Sequence, residues 1–289
     1  PLWIAEDKGF FEEAKVNPVF INVQGGGAQT MAALLGGSFD LTDLSFQATA
    51  IANEKGRDLR FVAGNYTDLS YGFIISNELD KPVAQDGYPA MMHGLRGKKI
   101  GVSSIGSSTY LVLSKMLEGA GMSVEDVQVI QIGNASHAAM ATGQIDAAMA
   151  SEPAISVLLH QIGKARMLLD LRDPKQAATA GLDGLIYDGW VARADVAAED
   201  RVQRATQALD KAMTVMKDPN TDMAYLMNLT RQNLDLDLSD QVLESQIRGM
   251  IPGFSTVISR KQVDRSFEIL GMEPQPYEQM ITGAAMEAL

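Results

Sequence analysis

One phrase occurs twice in this chain. Displacing the sequence by 106 residues lays Gly27 on Gly133, Thr30 on Ser136, Ala32 and Ala33 on Ala138 and Ala139, and Gly37 on Gly143. The match continues with Phe39 on Ile145, Asp40 on Asp146 and Ser45 on Ser151. The shared pattern is G-x-x-[ST]-x-A-A-x-x-x-G-x-[FI]-D. Each position has a physical job: a loop glycine, a hydroxyl that caps a helix start, small residues that let the helix approach a sheet, a glycine that stops the helix, and a strand. Any two βαβ units share such features, so unrelated units remain the alternative to two lobes of like topology. If the lobes are alike, the helix at Leu2–Lys8 corresponds to the one beginning at Ser107, and a strand and loop are expected just upstream of Pro1.

Around these repeats, helical patterns alternate with short β-rich runs. Helices are expected at Leu2–Lys8, Ala28–Leu35 and Gln47–Lys55, and strands at Val19–Val23, Phe39–Leu44, Leu59–Ala63 and Tyr71–Ile75. Gln24–Gly27 reads as a glycine turn, and Asn77–Gly97, with Pro82 and Pro89, as a surface connection. The alternation then restarts with strands at Lys99–Ser103, Val127–Ile132 and Ile145–Ala150 and helices at Ser107–Glu118, Ala135–Ala141 and Ala154–Ile162. After a strand pattern at Leu185–Ala192 the chain turns helical, at Asp200–Lys217, Asn220–Leu229, Ser239–Ile251, Arg260–Leu270 and Tyr277–Met286. Such alternation predicts an α/β chain of βαβ units on a largely parallel sheet. Its 289 residues suffice for two modest domains.

Open parallel sheets bind ligands beyond the carboxyl ends of their strands. In the first lobe those ends are Gln24, Gly25 and Gly26, then Ser45 and Phe46, then Asn65 and Tyr66. In the second they are Ser103–Thr109, Gly133–His137 and Ser151–Pro153, which bring in Asn134 and Glu152. The stretch KKIGVSSIGSSTYLVLSK approaches a phosphate loop, with Gly101 and Gly106 at Walker spacing, but Ser107 and Ser108 stand where the lysine belongs. Its Ser103, Ser104, Gly106, Ser107, Ser108 and Thr109 lie between a strand and a helix N-terminus. Unpaired N–H groups and the positive end of the helix dipole make such a place ready for a carboxylate, sulfonate or phosphate. Plain helix capping by Ser107 or Ser108 is the competing explanation. Tyr66, Phe46 and Trp190 suit a pocket wall as well as they suit a core. Glu152 serves equally as a ligand acceptor or as a cap for the helix behind it.

Much chemistry is missing. There is no cysteine, so no disulfide, thiolate nucleophile or Cys-type metal site exists. The histidines His93, His137 and His160 lack metal-ligand spacing, and no G-x-S-x-G elbow or G-x-G-x-x-G fingerprint occurs. Asp235–Asp240 lacks the glycine of a calcium loop and reads as a loop before a helix capped by Ser239. No metal, cofactor or catalytic residue is therefore expected. The net charge of −12 and the lack of a long basic run argue against nucleic acid and anionic membranes as partners. No run of 18 apolar residues appears.

Taken together, PLWIAEDKGFFEE, GGGAQTMAALLGGSFDLTDLS, LRGKKIGVSSIGSSTYLVLSKMLEGAGMSVEDVQVI and ATGQIDAAMASEP resemble solute-binding proteins of nitrate/sulfonate/taurine-type ABC importers. That group includes binders of thiamine-pyrimidine precursors. The resemblance runs from Pro1 to about Trp190. It implies a type II periplasmic binding protein: two doubly wound lobes joined by two hinge crossovers, near Ile75–Asn77 and Leu185–Tyr187. Residues 1–77 plus 185–289 would form the first lobe and 78–184 the second. It also implies a signal peptide, a periplasmic or membrane-anchored extracellular location, a membrane permease as partner and a monomer. The ligand would touch Gln24–Gly26, Ser45, Asn65–Tyr66, Ser103–Thr109, Asn134 and Glu152. A small organic anion is the expected solute. A neutral aromatic compound, and an enzyme on the same fold using His137 or Glu152 as base, remain alternatives.

Overall fold

The computed structural model describes residues 1–21, 27–79, 87–133, 135–234 and 238–287. The chain opens with helices α1 (Leu2–Asp7), α2 (Phe10–Glu13) and α3 (Gly27–Leu35), then strand β1 (Thr42–Ser45), α4 (Phe46–Glu54), β2 (Leu59–Gly64) and β3 (Gly72–Ser76). Next come β4 (Lys99–Val102), α5 (Ser108–Gly119), β5 (Gln128–Gln131), α6 (Ser136–Ala141) and β6 (Ala147–Ala150). A short α7 (Ala154–Ser156) runs into a π-helical turn at Val157–Ile162, followed by β7 (Ala165–Asp170) and α8 (Pro174–Thr179). The last strand is β8 (Asp188–Arg193). After it lie α9 (Ala194–Ala197), α10 (Asp200–Lys217), α11 (Met223–Asn233), α12 (Asp240–Met250), α13 (Arg260–Leu270) and α14 (Tyr277–Met280). Two compact units result: Pro1–Asp68 with Gly184–Asp235 and Ile251–Leu289, and Leu69–Asp183 with Leu236–Met250.

The first unit holds a three-stranded sheet in the order β1-β8-β2, with β8 antiparallel to both neighbours. Strand side chains alternate between faces, so Val191 of β8 and Leu44 of β1 look one way and Trp190 and Ala192 the other. Each face is covered. Leu44, Phe46, Phe61, Val191, Phe267 and Met280 form one core. Val62, Ala192, Val196 and Val202 form a second, with Trp190 packed on it. Phe46 stacks on Phe61 at 5.9 Å and meets the edge of Phe267 at 5.3 Å. Each such fully buried aromatic contributes about 1.5–3 kcal/mol of transfer free energy.

The second unit holds five strands in the order β5-β4-β6-β3-β7. β4 is parallel to β5 and β6, while β3 is antiparallel to β6 and β7. Every residue of β6 is buried, as a strand covered on both faces requires. The expected largely parallel sheet is thus corrected to a mixed one. Of the strands that run against their neighbours, β3 is the first after the chain passes into the second unit and β8 the first after it returns to the first. No helical crossover leads into them from a sheet neighbour, so nothing forces them parallel.

The sequence repeat is a repeat of structure. The order β1-β8-β2 matches β6-β3-β7, with the middle strand antiparallel in each. The same displacement carries Leu59–Gly64 of β2 onto Ala165–Asp170 of β7. Both strands bulge, and the pairing passes over Val62 in one and the equivalent Leu168 in the other. The helix-stopping Gly37 and Gly143 both sit in left-handed backbone, at φ +77° and +72°.

Some expectations fail. Val19–Ile21 forms no strand and is exposed, with Val19 at 80%. The remainder of that segment and Gln24–Gly26 lie outside the described residues. Four elements were not foreseen: the four-residue helices α2 and α9; β7, whose ARMLLD sequence lacks alternation; and α8, although Asp173 caps it and Pro174 begins it. The helix expected at Ala154–Ile162 becomes α7 and the π turn, and that at Tyr277–Met286 stops at Met280. α11 begins at Met223 because Asp222 caps it by accepting the Ala224 N–H.

Phe267→Ala should destabilise the first unit by about 3–5 kcal/mol, because Phe46 and Phe61 cannot close the void. Urea unfolding of the full chain measures this; a loss under about 1 kcal/mol would contradict the packing described.

Candidate functional site

Strand direction decides which residues share an edge. In the first unit β1 and β2 end where β8 begins, so Ser45, Asn65 and Asp188 come to one end of the sheet. Ser45 caps α4 by accepting the Ala48 N–H at 3.2 Å. Phe46, which follows it, is sealed in the core with no face left for a ligand. The Tyr66 N–H donates to Asp188 Oδ1 at 2.8 Å, and the Asp188 N–H donates to the Tyr66 carbonyl at 3.1 Å. The Tyr66 ring is buried between Tyr187 and Phe254, at 6.3 and 5.1 Å. Trp190 pairs with Asp43 across β8 and β1, and its indole N–H is buried without a partner among the described residues.

Asp43 and Asp188 were not foreseen as neighbours. Both lie on one face of the sheet, since Asp43 pairs with Trp190 and Ser45 with Asp188. Desolvation pushes Asp43 up to about 7, against a hydrogen bond from Asn65. Asp43 nevertheless keeps part of its surface exposed to solvent. Asp188 is buried and is raised further, by desolvation first and by the Asp43 charge second.

In the second unit, β4, β5, β6 and β7 end where β3 begins. That edge carries Ser103, Gly133, Ser151–Glu152, Arg172 and Tyr71. The serine loop is knit together there. Ser107 caps α5 by accepting the Tyr110 N–H at 3.4 Å, and its hydroxyl donates to the Ser104 carbonyl at 2.6 Å. Ser103, Ser107 and Thr109 hydroxyls lie 2.8–2.9 Å from one another. Ser108 Oγ meets Tyr71 OH at 2.6 Å. Gly106 takes left-handed backbone at φ +83°, and Ile105 beside it is exposed. The N–H groups of Ser108 and Thr109 stand in the first turn of α5, where no helical carbonyl reaches them.

Glu152 is wholly engaged. It accepts from Arg172 Nη1 and from the Ser156 N–H at 3.0 Å, with only 2% of its side chain exposed. Arg172 also binds Asp170 through Nε and Nη2, each at 2.8 Å. Burial works against its charge, but the Asp170 and Glu152 carboxylates outweigh that and push its pKa up. Sequence reasoning missed Arg172 because it missed β7. His137 lies half-buried on α6, and Asn134 lies outside the described residues. The two edges offer amide and hydroxyl donors, two raised carboxyl groups and one neutralised guanidinium. A Glu152 tied to Arg172 is not placed to act as a base. Among the described residues no group of three or more His, Asp or Glu could hold a metal ion.

A family model described as NMT1/THI5 like matches residues 1–221. No curated protein matches the chain. Among solved structures, a protein of Bordetella bronchiseptica RB50 is 26% identical, with a TM-score of 0.77 over 98% of this chain and 90% of that one. The periplasmic aliphatic sulphonate binding protein SsuA of Escherichia coli is 19% identical, at TM-score 0.74 over 100% and 90%. The alkanesulfonate-binding protein SsuA of Xanthomonas axonopodis pv. citri, bound to MOPS, is 20% identical, at 0.71 over 99% and 93%. The last two likenesses establish the periplasmic binding protein fold.

The carboxyl pair sets a pH dependence. Groups with raised folded-state pKa keep protons that the unfolded chain releases above its ordinary value of 3.8, so stability falls as pH climbs from there through about 7. Asp188→Asn keeps an acceptor for the Tyr66 N–H and removes the charge. Its unfolding midpoint should exceed the parent's at pH 8 by about 2–4 °C, with little gain at pH 4. Scanning calorimetry at both pH values tests this; a variant less stable than the parent at pH 8 would contradict it.

Proposed function

Because the chain belongs to the NMT1/THI5-like family, we propose that it is the solute-capturing component of an ABC importer. It works in the periplasm or tethered outside a membrane, as a monomer that delivers its solute to a membrane permease. It binds and does not transform. The solute is a small organic molecule with an anionic head, a sulfonate or carboxylate. The observation that carries this reading is the first turn of α5, where the Ser108 and Thr109 N–H groups have no helical acceptor and hydroxyls crowd around them. The names of the two SsuA structures, which bind alkanesulfonates or aliphatic sulphonates, point the same way. Ser107 supports the site by capping the helix, while Ser108 faces the head group. The two compact units, Pro1–Asp68 with Gly184–Asp235 and Ile251–Leu289, and Leu69–Asp183 with Leu236–Met250, act as the lobes that close on the solute by hinge motion. Differential contacts made only in the closed form drive that closure.

A second reading is favoured by charge. The guanidinium at the second edge is neutralised by Asp170 and Glu152, and the first edge carries Asp43 and Asp188. A neutral heterocycle with N–H donors suits such surroundings better than a strong anion.

Native mass spectrometry of the purified chain, followed by calorimetry with MOPS and with an aminopyrimidine, separates the two. Ser108→Phe should fill the first turn of α5 and weaken MOPS binding by at least about 100-fold, roughly 2.7 kcal/mol, with the unfolding midpoint little changed. Binding of MOPS by this variant at the parent's affinity would refute the head-group assignment.

A further inference from the structure

Three polar side chains of the second unit are buried with nothing to bond. Ser70 Oγ, Ser156 Oγ and Gln246 Oε1 have no partner among the described residues. The residues that carry them are only 5%, 1% and 8% exposed, and all three lie inside one compact unit.

They gather around one ion pair. Strand β3 pairs Gly72 with Ala150 of β6 on one side and with Asp170 of β7 on the other. One residue earlier the pairing still holds, since the Leu171 N–H donates to the Tyr71 carbonyl at 3.0 Å. Carried one residue further, the same registers set Ser70 between Glu152 and Arg172, whose side chains bond to each other. Alternation puts Ser70 on the face of Gly72. That face looks at α7, because a β-carbon on Gly72 would stand 3.1 Å from Ile155 Cδ1. From α7 the Ser156 N–H donates to Glu152 Oε2 at 3.0 Å, so Ser156 sits beside the same carboxylate. Helix α12 covers the group. Its buried residues are Val242, Leu243 and Gln246, and Ser245 Oγ meets His160 Nε2 on the π turn at 3.0 Å. A β-carbon on Gly249 would stand 2.6 Å from Arg172 Nη1. Gln246 lies one turn before Gly249 on the same side of the helix.

The chemistry of the three groups selects what belongs with them. Gln246 Oε1 only accepts, while each serine hydroxyl both donates and accepts. An anion would face that amide oxygen and the carboxylates of Glu152 and Asp170. A metal ion would face the Arg172 guanidinium. A small neutral molecule that donates and accepts meets neither objection. Buried water commonly makes about three hydrogen bonds, which is the number of groups left over here.

We propose that Ser70, Ser156 and Gln246 hold a buried water molecule that completes the polar network around Glu152 and Arg172. The water donates to Gln246 Oε1 and bonds the serine hydroxyls, so α12 covers the ion pair without stranding polar groups. Each group stranded without it would bear its full desolvation cost. The site is independent of the solute reading, and its test needs no solute.

The test is a crystal structure of the full chain at a resolution that shows ordered water, with thermal unfolding of Ser156→Ala and Gln246→Met beside the parent. A water should lie about 2.7–3.2 Å from at least two of the three atoms. Each variant deprives that water of a partner, and each should lower the unfolding midpoint by about 2–4 °C. A metal ion or anion in its place, or the three groups bonded to one another with no water between them, would overturn the proposal. So would either variant melting at or above the parent, because deleting a group that has no partner relieves its burial cost.

Discussion

Covering both faces of each sheet is the constraint from which the rest follows. Once β6, β3 and β8 are buried on both sides, polar chemistry has nowhere to gather except beyond the strand ends. Ser45, Asn65 and Asp188 meet at one such end, and Ser103, Glu152 and Arg172 at the other. Neither gathering needs a special motif. Each follows from strand order and direction, and from helix caps set at or just beyond the strand ends: Ser45 closes β1 and caps α4, and Ser107, in the loop after β4, caps α5.

The two edges solve the problem of buried charge in different ways. At the second, Arg172 is forked between Asp170 and Glu152, and the spare Glu152 oxygen takes an α7 N–H. Removing one member of such a network leaves an uncompensated charge, which costs far more than the network gains over apolar packing. At the first, the buried Asp188 and the more exposed Asp43 beside it have no cation partner among the described residues and instead hold protons more tightly. One edge is fixed by pairing and the other is responsive to pH.

What could be read from the sequence was local. The cap at Ser107, the start of α5, the glycine stops at Gly37 and Gly143 and the repeated order of elements all depend on residues a few positions apart. The repeat even extended further than its quoted pattern, to the bulges at Val62 and Leu168. What escaped was set by distant partners. ARMLLD carries no alternation, and becomes an edge strand because β3 pairs with it and Arg166 bonds Ser76 and Leu79 carbonyls. Missing β7 hid Arg172. Asp43 and Asp188 sat inside apparent strands, and only the β1–β8 register brings them side by side. That α12 packs with the second unit was equally unreadable, since its amphipathic pattern does not say which face of which unit it covers.

The central claim is that the first turn of α5 receives the head group of a captured solute. Its most direct measurement is an amide NMR titration of the isotope-labelled chain with MOPS and with an aminopyrimidine. The account predicts that, for the compound that binds, the Ser108 and Thr109 amide signals move downfield in step with occupancy and by more than those of β8. Saturable binding with both of these signals unmoved would contradict it.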